Sequence, residues 1–286
     1  MYKNQNCIFG TFRKIQNCVF GIFHFTNEEC FMARGNQSKR NNAEYMCTDL
    51  NNFVVQSNIM ITSRQNLSIN AMKLVRLAIM QVKPDEKELK LFKITIQELA
   101  NLLQVDASNL YKSADDITTE IMSKPLFRKN ADGGWKKYAW VSSCEYIVDD
   151  GLYIKLNDEL KPYLIGLKKY YTQYTLDCII GMKSEYSIRF FELIIEKIDQ
   201  QVLPINGLGI YISIEDIKTV CGCDAPAYEK FGKIKQSVID KAISEINEKT
   251  SYRISYDKSD YHKNGRSVVG ITFNVNMSYH KQPEEK

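Results

Sequence analysis

A pattern of apolar residues occurs twice in this chain and constrains the fold more than any other feature. Residues 72–79 (Met-Lys-Leu-Val-Arg-Leu-Ala-Ile) match residues 188–195 (Ile-Arg-Phe-Phe-Glu-Leu-Ile-Ile) at an offset of 116. Residues 94–99 (Ile-Thr-Ile-Gln-Glu-Leu) match residues 212–217 (Ile-Ser-Ile-Glu-Asp-Ile) at an offset of 118. Two ordered matches at nearly one offset predict a duplicated domain, with chance similarity of amphipathic helices as the alternative.

The order of elements in each copy is clearest in the second one. A short helix opens at residues 212–217, a Cys221–Pro226 break follows, and a long amphipathic helix starts near Tyr228. A hairpin pattern comes next, with a polar tip between Ser259 and Gly265. This is the order of a winged helix-turn-helix. We therefore predict an α+β fold with two tandem winged helix-turn-helix domains, related by internal duplication and joined by a helical connector.

Local signals give the predicted boundaries. Ser68 is a predicted helix N-cap, and Thr95-x-x-Glu98 has the form of a capping box. Tyr138–Ile147 has the pattern of one strand, and a helix is predicted from Asp158 to about Ile180. The predicted segments are a flexible N-terminal extension (1–47), the N-terminal winged helix (48–160), the helical connector (161–183), the C-terminal winged helix (184–280) and a tail (281–286).

Charge is distributed unevenly along the chain. The totals of 38 Lys+Arg and 34 Asp+Glu make the whole protein only mildly basic. Residues 228–281 contain ten Lys/Arg and six Asp/Glu, so the net charge of this one segment equals the net charge of +4 of the entire chain. A basic C-terminal module indicates a polyanionic partner, and a solvated charged surface is the alternative explanation.

Cysteine and histidine usage argues against a metal site and against catalysis. Cys221 and Cys223 have no second cysteine pair or histidine partners nearby, so a structural turn is expected rather than a metal ligand. The three histidines are far apart, and the chain lacks a phosphate-binding loop. No apolar run approaches the ~20 residues of a membrane span. We expect a cytoplasmic protein that is not an enzyme and has neither cofactor nor metal.

The long helix of the second copy is the predicted DNA reader. Ile234, Val238, Ala242 and Ile246 share its apolar face on a helical wheel, with Ile239 at the margin. Lys235 falls on the apolar side, so its stem is expected to be partly covered while its ammonium reaches solvent. The predicted DNA-binding residues are Lys230, Lys233, Lys235, Gln236 and Ser237 of this helix, Lys258, Lys263 and Arg266 of the wing, and Ser108, Asn109 and Lys112 of the first domain.

Several strings in this order resemble a known family. They are Val-Val-Gln-Ser-Asn at 54–58, Pro-Tyr-Leu at 162–164 followed by Tyr-Thr-Gln-Tyr at 171–174, residues 186–193, and the run 228–250. Together they resemble the Rep_3 superfamily of plasmid replication initiators, which are iteron-binding proteins with tandem winged helices. The resemblance covers about residues 51–275. Members often carry a more basic run than Lys-Gln-Ser at 235–237, so those contacts are less well defined by the resemblance.

The resemblance implies a function. The C-terminal winged helix would read iteron repeats in the double-stranded DNA of a plasmid origin. The N-terminal one would add DNA contacts and form the interface of dimers. Such initiators open the origin as monomers, repress their own gene as dimers, and recruit the host initiator and the replicative helicase. Two alternatives stay open: a tandem winged-helix transcriptional repressor without initiation activity, and an interaction protein that uses winged helices as scaffolds.

Overall fold

A computed structural model describes residues 43–104, 106, 109–130, 132–198 and 207–277. The predicted tail, residues 1–42 of the predicted extension, and Ser108 lie outside the described residues. The elements of the first half are β1 (Glu44–Tyr45), β2 (Phe53–Ser57), α1 (Asn58–Thr62), α2 (Ile69–Met80), β3 (Leu91–Thr95), α3 (Ile96–Leu103), α4 (Leu110–Ser123), β4 (Leu126–Lys129), β5 (Trp135–Tyr138), β6 (Val141–Ile147) and β7 (Gly151–Leu156).

Side-chain caps start the helices of the first half where the sequence predicts them. The Ser68 hydroxyl accepts the N–H of Ala71 at 3.4 Å at the start of α2. Thr95 and Glu98 form the predicted capping box of α3, because each side chain accepts the backbone N–H of the other residue. Strands β1, β3, β7 and β6 form one sheet in that order, and β4 pairs only with β5 among the described strands. The capped helices pack beside this sheet as in a winged helix.

The boundary predicted at residue 48 is wrong, because strand β1 belongs to the first domain. Glu44 and Tyr45 pair in parallel with β3, and Met46 is buried in the core. The ammonium of Lys93 forms an ion pair with Asp150 and lies 4.8 Å from the centre of the Tyr45 ring. The end of the predicted extension is therefore held by backbone pairing and by the burial of an apolar side chain.

The strand predicted over Tyr138–Ile147 is divided in two. Strand β5 ends at Tyr138 and β6 begins at Val141, with Trp140 fully buried between them. The guanidinium carbon of Arg76 lies 5.5 Å from the centre of the Trp140 ring. Burial of this large ring turns the chain between the two hairpins, so β4–β5 and β6–β7 are separate.

The predicted helical connector also needs correction. Residues 161–183 contain two four-residue helices, α5 (Lys161–Leu164) and α6 (Asp177–Ile180), with strand β8 (Tyr171–Thr175) between them. Strand β8 pairs antiparallel with β2, more than 110 positions earlier in the chain. Its Thr and Tyr residues are typical of strands, and Thr172 and Tyr174 are buried on either side of the exposed Gln173. The connector is therefore part of the first domain's structure and not a helical spacer.

The second half repeats the winged-helix arrangement. Strand β12 is central: β9 pairs with one of its edges, while β10 and β11 follow each other along the other. The elements are α7 (Glu185–Ile198), β9 (Leu208–Ser213), α8 (Ile214–Cys221), α9 (Phe231–Ile234), α10 (Asp240–Lys249), β10 (Tyr252–Ser255), β11 (Tyr261–Asn264) and β12 (Ser267–Met277).

The two halves meet at equivalent positions of the repeat. Arg76 of α2 and Glu192 of α7 are separated by the repeat offset of 116, and their side chains pair with each other. The Arg76 Nε donates to Glu192 Oε1 at 2.9 Å, and Nη2 donates to Oε2 at 3.0 Å. Arg189 also pairs with Glu192 and donates to the carbonyl of Ser63 at 2.9 Å. These three charged side chains are at most 1% exposed, so a buried ion cluster joins the two winged helices.

Candidate nucleic-acid interface

The turn before the reader helix is fixed by a glycine and by an ion pair. Gly222 ends α8 with a φ of +66°, and a Cβ there would lie 2.6 Å from Oδ1 of Asn66. A side chain at this position would be strained by the left-handed backbone conformation and would displace the Asn66 amide. Two residues later, Asp224 pairs with Arg64 of the first domain. The start of the reader helix is thereby held against the first winged helix.

The reader helix is not the single regular helix that the sequence predicts. A 3₁₀ turn at Pro226–Glu229 leads into α9, a π-helical turn covers Lys235–Ile239, and α10 follows. A π-turn inserts one extra residue into the helix. As a result, Val238 and Ile239 are both fully buried, although an ideal wheel puts Ile239 at the margin of the apolar face. The extra residue changes which side chains face the core.

The N-terminal part of this helix presents polar donors to solvent. Lys230, Lys233 and Gln236 are exposed, and Ser237 is half-buried. Within the described part of the chain, the side chains of these residues form no ion pair or hydrogen bond. Such free ammonium and amide groups at the first turns are suited to base edges and phosphates in a major groove.

Lys235 is turned away from that group. Its ammonium bonds Oδ2 of Asp240 at 2.7 Å and lies 5.7 Å from the centre of the Tyr256 ring. The hydrogen bond to Asp240 raises the pKa of Lys235. Tyr256, which follows β10, donates its hydroxyl proton to the other oxygen of Asp240. Lys235 therefore links the π-turn to the base of the wing, and its ammonium is not presented beside Lys233.

The wing carries the second set of cations. Strands β11 and β12 join at a tight turn in which Gly265 has a φ of +59°, and Lys263 and Arg266 are exposed there. Lys258 is exposed in a 3₁₀ turn that Asp257 caps. No ion pair involves any of these three cations among the described residues. All three lie in the segment between β10 and β12.

Helix α4, the first domain's equivalent of the reader helix, has a different surface. Asn109 and Lys112 are exposed near its start, as predicted, and Ser108 lies outside the described residues. Asp115 and Asp116 are exposed on the next turn. Two carboxylates so close to Lys112 make this helix less attractive to a phosphate backbone than the second domain's helix.

Sequence reasoning missed the charged cluster that holds the two domains together. Burial alone would raise the pKa of Glu192, but the nearby Arg76 and Arg189 outweigh burial and lower it to about 2. The available signal was the pair of opposite charges, Arg76 and Glu192, at equivalent positions of the two repeated helices. The cluster does not face solvent, so it acts on DNA binding only by fixing how the two winged helices are arranged.

The described residues contain neither a cluster of potential metal ligands nor a membrane-spanning helix. Nowhere in this part of the chain do three His, Cys, Asp or Glu side chains come together as metal ligands. None of its helices has the length and apolar character needed to cross a bilayer. Burial raises the pKa of the Cys223 thiol to about 11, which keeps this cysteine protonated at neutral pH.

Comparison with solved structures confirms the predicted tandem winged-helix fold. The crystal structure of Pi initiator protein in complex with iteron DNA matches with a TM-score of 0.65 and 18% identity, over 80% of this chain and 99% of that one. A curated relative, an uncharacterized 27.6 kDa protein of Escherichia coli, is 21% identical over 231 residues, which are 76% of this chain and 93% of the relative.

Two family models match consecutive parts of the chain. The model described as "Initiator Replication protein, WH1" matches residues 53–195, and the model described as "Initiator Rep protein, WH2" matches residues 213–275. The first match extends through the predicted connector, which agrees with the pairing of β8 and β2. The chain therefore belongs to the family of initiator replication proteins and carries their two winged-helix modules in order.

Proposed function

We propose that this protein is a plasmid replication initiator that binds iteron repeats as double-stranded DNA through its second winged helix. The observation that carries the proposal is the exposure of Lys230, Lys233 and Gln236 at the start of the reader helix. Membership of the initiator family and the likeness to Pi initiator protein, which was solved with iteron DNA, support the same ligand.

The reader helix enters the major groove with its first turns. There Lys230 and Lys233 donate to guanine O6 and N7 or to phosphate, and Gln236 pairs with adenine N6 and N7. Ser237 donates to a nearby base edge or phosphate. Lys235 takes part indirectly, because its bond to Asp240 keeps the helix and the wing in one arrangement.

The wing contacts the backbone beside that groove. Lys258, Lys263 and Arg266 neutralise phosphates, which strengthens binding to any sequence and makes it sensitive to salt. The first domain contributes Ser108, Asn109 and Lys112 to a further backbone contact. Asp115 and Asp116 limit that contact to the outside of the duplex, because they would repel phosphates in a groove.

Beyond DNA binding, the proposal includes the steps of initiation. The monomer opens the origin and recruits the host initiator and the replicative helicase, and the dimer represses the protein's own gene. The first domain forms the dimer interface. The protein works in the cytoplasm by binding and arranging partners, without catalysing a reaction.

Footprinting on the DNA that flanks the gene tests the proposal. The expected result is protection of several direct repeats in one orientation. Protection of a lone palindromic site would instead support the transcriptional repressor.

Replication of a test plasmid separates initiation from repression. A plasmid that carries the gene and the protected repeats should be maintained in a suitable host, and loss of the repeats should abolish maintenance. If the protein protects repeats tightly but such a plasmid is never maintained, the initiator function is wrong.

A further inference from the structure

The hairpin formed by β4 and β5 combines an exposed tryptophan with a basic surface. Trp135 exposes 62% of its surface, although burial of so large a ring would stabilise the fold. The acidic side chain in the described part of the hairpin is Asp132, which is engaged with the N–H of Gly134 at 2.8 Å. Large exposed aromatics on a charged surface indicate a contact site. The basic side chains are Arg128, Lys129, Lys136 and Lys137.

Strand register divides these side chains between two faces. Paired residues share a face, and faces alternate along each strand. The inner face is tied to the domain: the hydroxyls of Tyr138 and Tyr163 are 2.7 Å apart, and Lys136 lies 3.5 Å from Glu159. The outer face consists of two register pairs, Phe127 with Lys137 and Lys129 with Trp135.

The outer face is a platform of aromatic rings between two ammonium groups. The rings of Phe127 and Trp135 are stacked, with centres 6.4 Å apart and planes inclined by 26°. The Lys137 ammonium lies 4.9 Å from the centre of the Trp135 ring. Unpaired bases stack on such rings while lysines contact their phosphates. Base faces inside a duplex are covered by their neighbours, so a duplex offers this indole no comparable partner.

The geometry points to a single-stranded DNA site on this outer face, where Trp135 stacks on an unpaired base and Lys129 and Lys137 contact the flanking phosphates. The inference rests on the proposed origin opening, which is the step that supplies unpaired DNA. It assigns to the first winged helix a ligand different from the duplex that the second one reads.

The hairpin is also joined to the reader. Phe127 exchanges two backbone hydrogen bonds of 3.0 Å with Arg64, and Arg64 pairs with Asp224 in the turn before the reader helix. A short chain of direct contacts therefore links the platform to the start of the helix that binds the duplex.

Tryptophan fluorescence provides a direct test, because the chain has two tryptophans and Trp140 is fully buried. An oligothymidylate of about 16 nucleotides, the upper site size of one binding module, is the probe. It should quench the wild type and leave Trp135→Phe, which keeps only Trp140, unquenched. Anisotropy of a labelled oligonucleotide should show about tenfold weaker binding by Trp135→Ala and closer to normal binding by Trp135→Phe.

Matched variants decide whether the platform or general charge binds the strand. Tyr111→Ala removes an aromatic of the first domain that is 64% exposed, and it should leave binding unchanged. Lys129→Ala and Lys137→Ala should each reduce the salt dependence by about 0.7 in log–log slope, whereas Lys136→Ala on the inner face should not. Equal losses for Trp135→Ala and Tyr111→Ala, or for Lys136→Ala and Lys137→Ala, would overturn the site.

The duplex footprint keeps the two proposals separable. Trp135→Ala should protect the flanking repeats as the wild type does. If the wild type protects repeats but oligothymidylate neither quenches it nor binds, the platform is wrong and iteron reading stands. If quenching depends on Trp135 but no repeat is protected, iteron reading fails and the single-stranded site stands.

Discussion

The two winged helices are copies of one pattern, and they differ most in the charged residues that they expose to solvent. The second presents Lys230 and Lys233 on its reader helix, while the equivalent helix of the first presents Asp115 and Asp116 beside Lys112. Inside the protein, the copies also differ at one equivalent position, where Arg76 and Glu192 bond each other. Duplication therefore preserved the apolar framework, while changes of charge created both a reader and an interface between the copies.

Breaking the buried pair should have the largest effect. Glu192→Ala leaves Arg76 and Arg189 buried without their counter-charge, and we expect a loss of about 3–5 kcal/mol in the free energy of unfolding. Urea denaturation at neutral pH measures the loss. Glu248→Ala, at an exposed ion pair with Lys249, is the matched control and should lower the free energy of unfolding far less. Similar losses for the two variants would mean that the interface is not held by this charge.

The same carboxylate gives the interface a pH dependence. The pKa of Glu192 is about 2 in the folded protein, below its ordinary value of 4.5. A lowered pKa contributes stability that is fully present above the ordinary value and is lost as pH falls toward about 2, an amount on the order of a few kcal/mol. The free energy of unfolding of Glu192→Gln should therefore fall less steeply below about pH 4.5 than that of the wild type. Parallel acid profiles would contradict this.

Recognition of a particular DNA sequence should depend on the second domain and not on the first. The double variant Lys233→Ala, Gln236→Ala removes two exposed donors, and each good base contact is worth about 1–3 kcal/mol of discrimination. Binding to the protected repeat should therefore weaken more than binding to random duplex, as measured by electrophoretic mobility shift at fixed salt. Equal losses on both DNAs would reduce these residues to phosphate contacts.

The first domain should give the smallest effect. Asn109→Ala with Lys112→Ala removes a backbone contact that the neighbouring carboxylates already weaken. Affinity for the repeat and for random duplex should fall by similar small factors, and the salt slope should change by at most about 0.9, the value for one phosphate contact. A selective loss on the repeat would show that the first domain reads bases too.

What could be predicted from the sequence is mostly local. The capping box of Thr95 and Glu98 and the Ser68 cap involve residues three apart, so their chemistry is visible in a short window. The exposure of Lys233 follows from helical periodicity, and Lys230 is exposed as the extended residue that precedes α9. The repeat itself is visible because apolar positions in the cores of both copies must face inward.

What escaped prediction depends on contacts between distant residues. The pairing of β8 with β2 joins segments more than 110 residues apart, and the sequence of Tyr171–Thr175 does not indicate which strand it pairs with. Arg76 and Glu192 look like surface charges until the two helices meet. Lys235 was predicted to lie on the apolar side of the helix with its ammonium reaching solvent, and its bond to Asp240 depends on a π-turn that an ideal wheel cannot represent.

That π-turn also sets how the DNA contact of this protein can change. Successive residues of a regular helix are about 100° apart around its axis, so one extra residue puts the front of the reader helix out of phase with its back by that angle. Deleting one residue between positions 235 and 239 would restore the regular phase. The side chains of Lys230 and Lys233 would then rotate about the helix axis, while α10 remained packed against the core. A single-codon deletion, without any new amino acid, would change the direction in which the reader helix presents its DNA-contacting side chains.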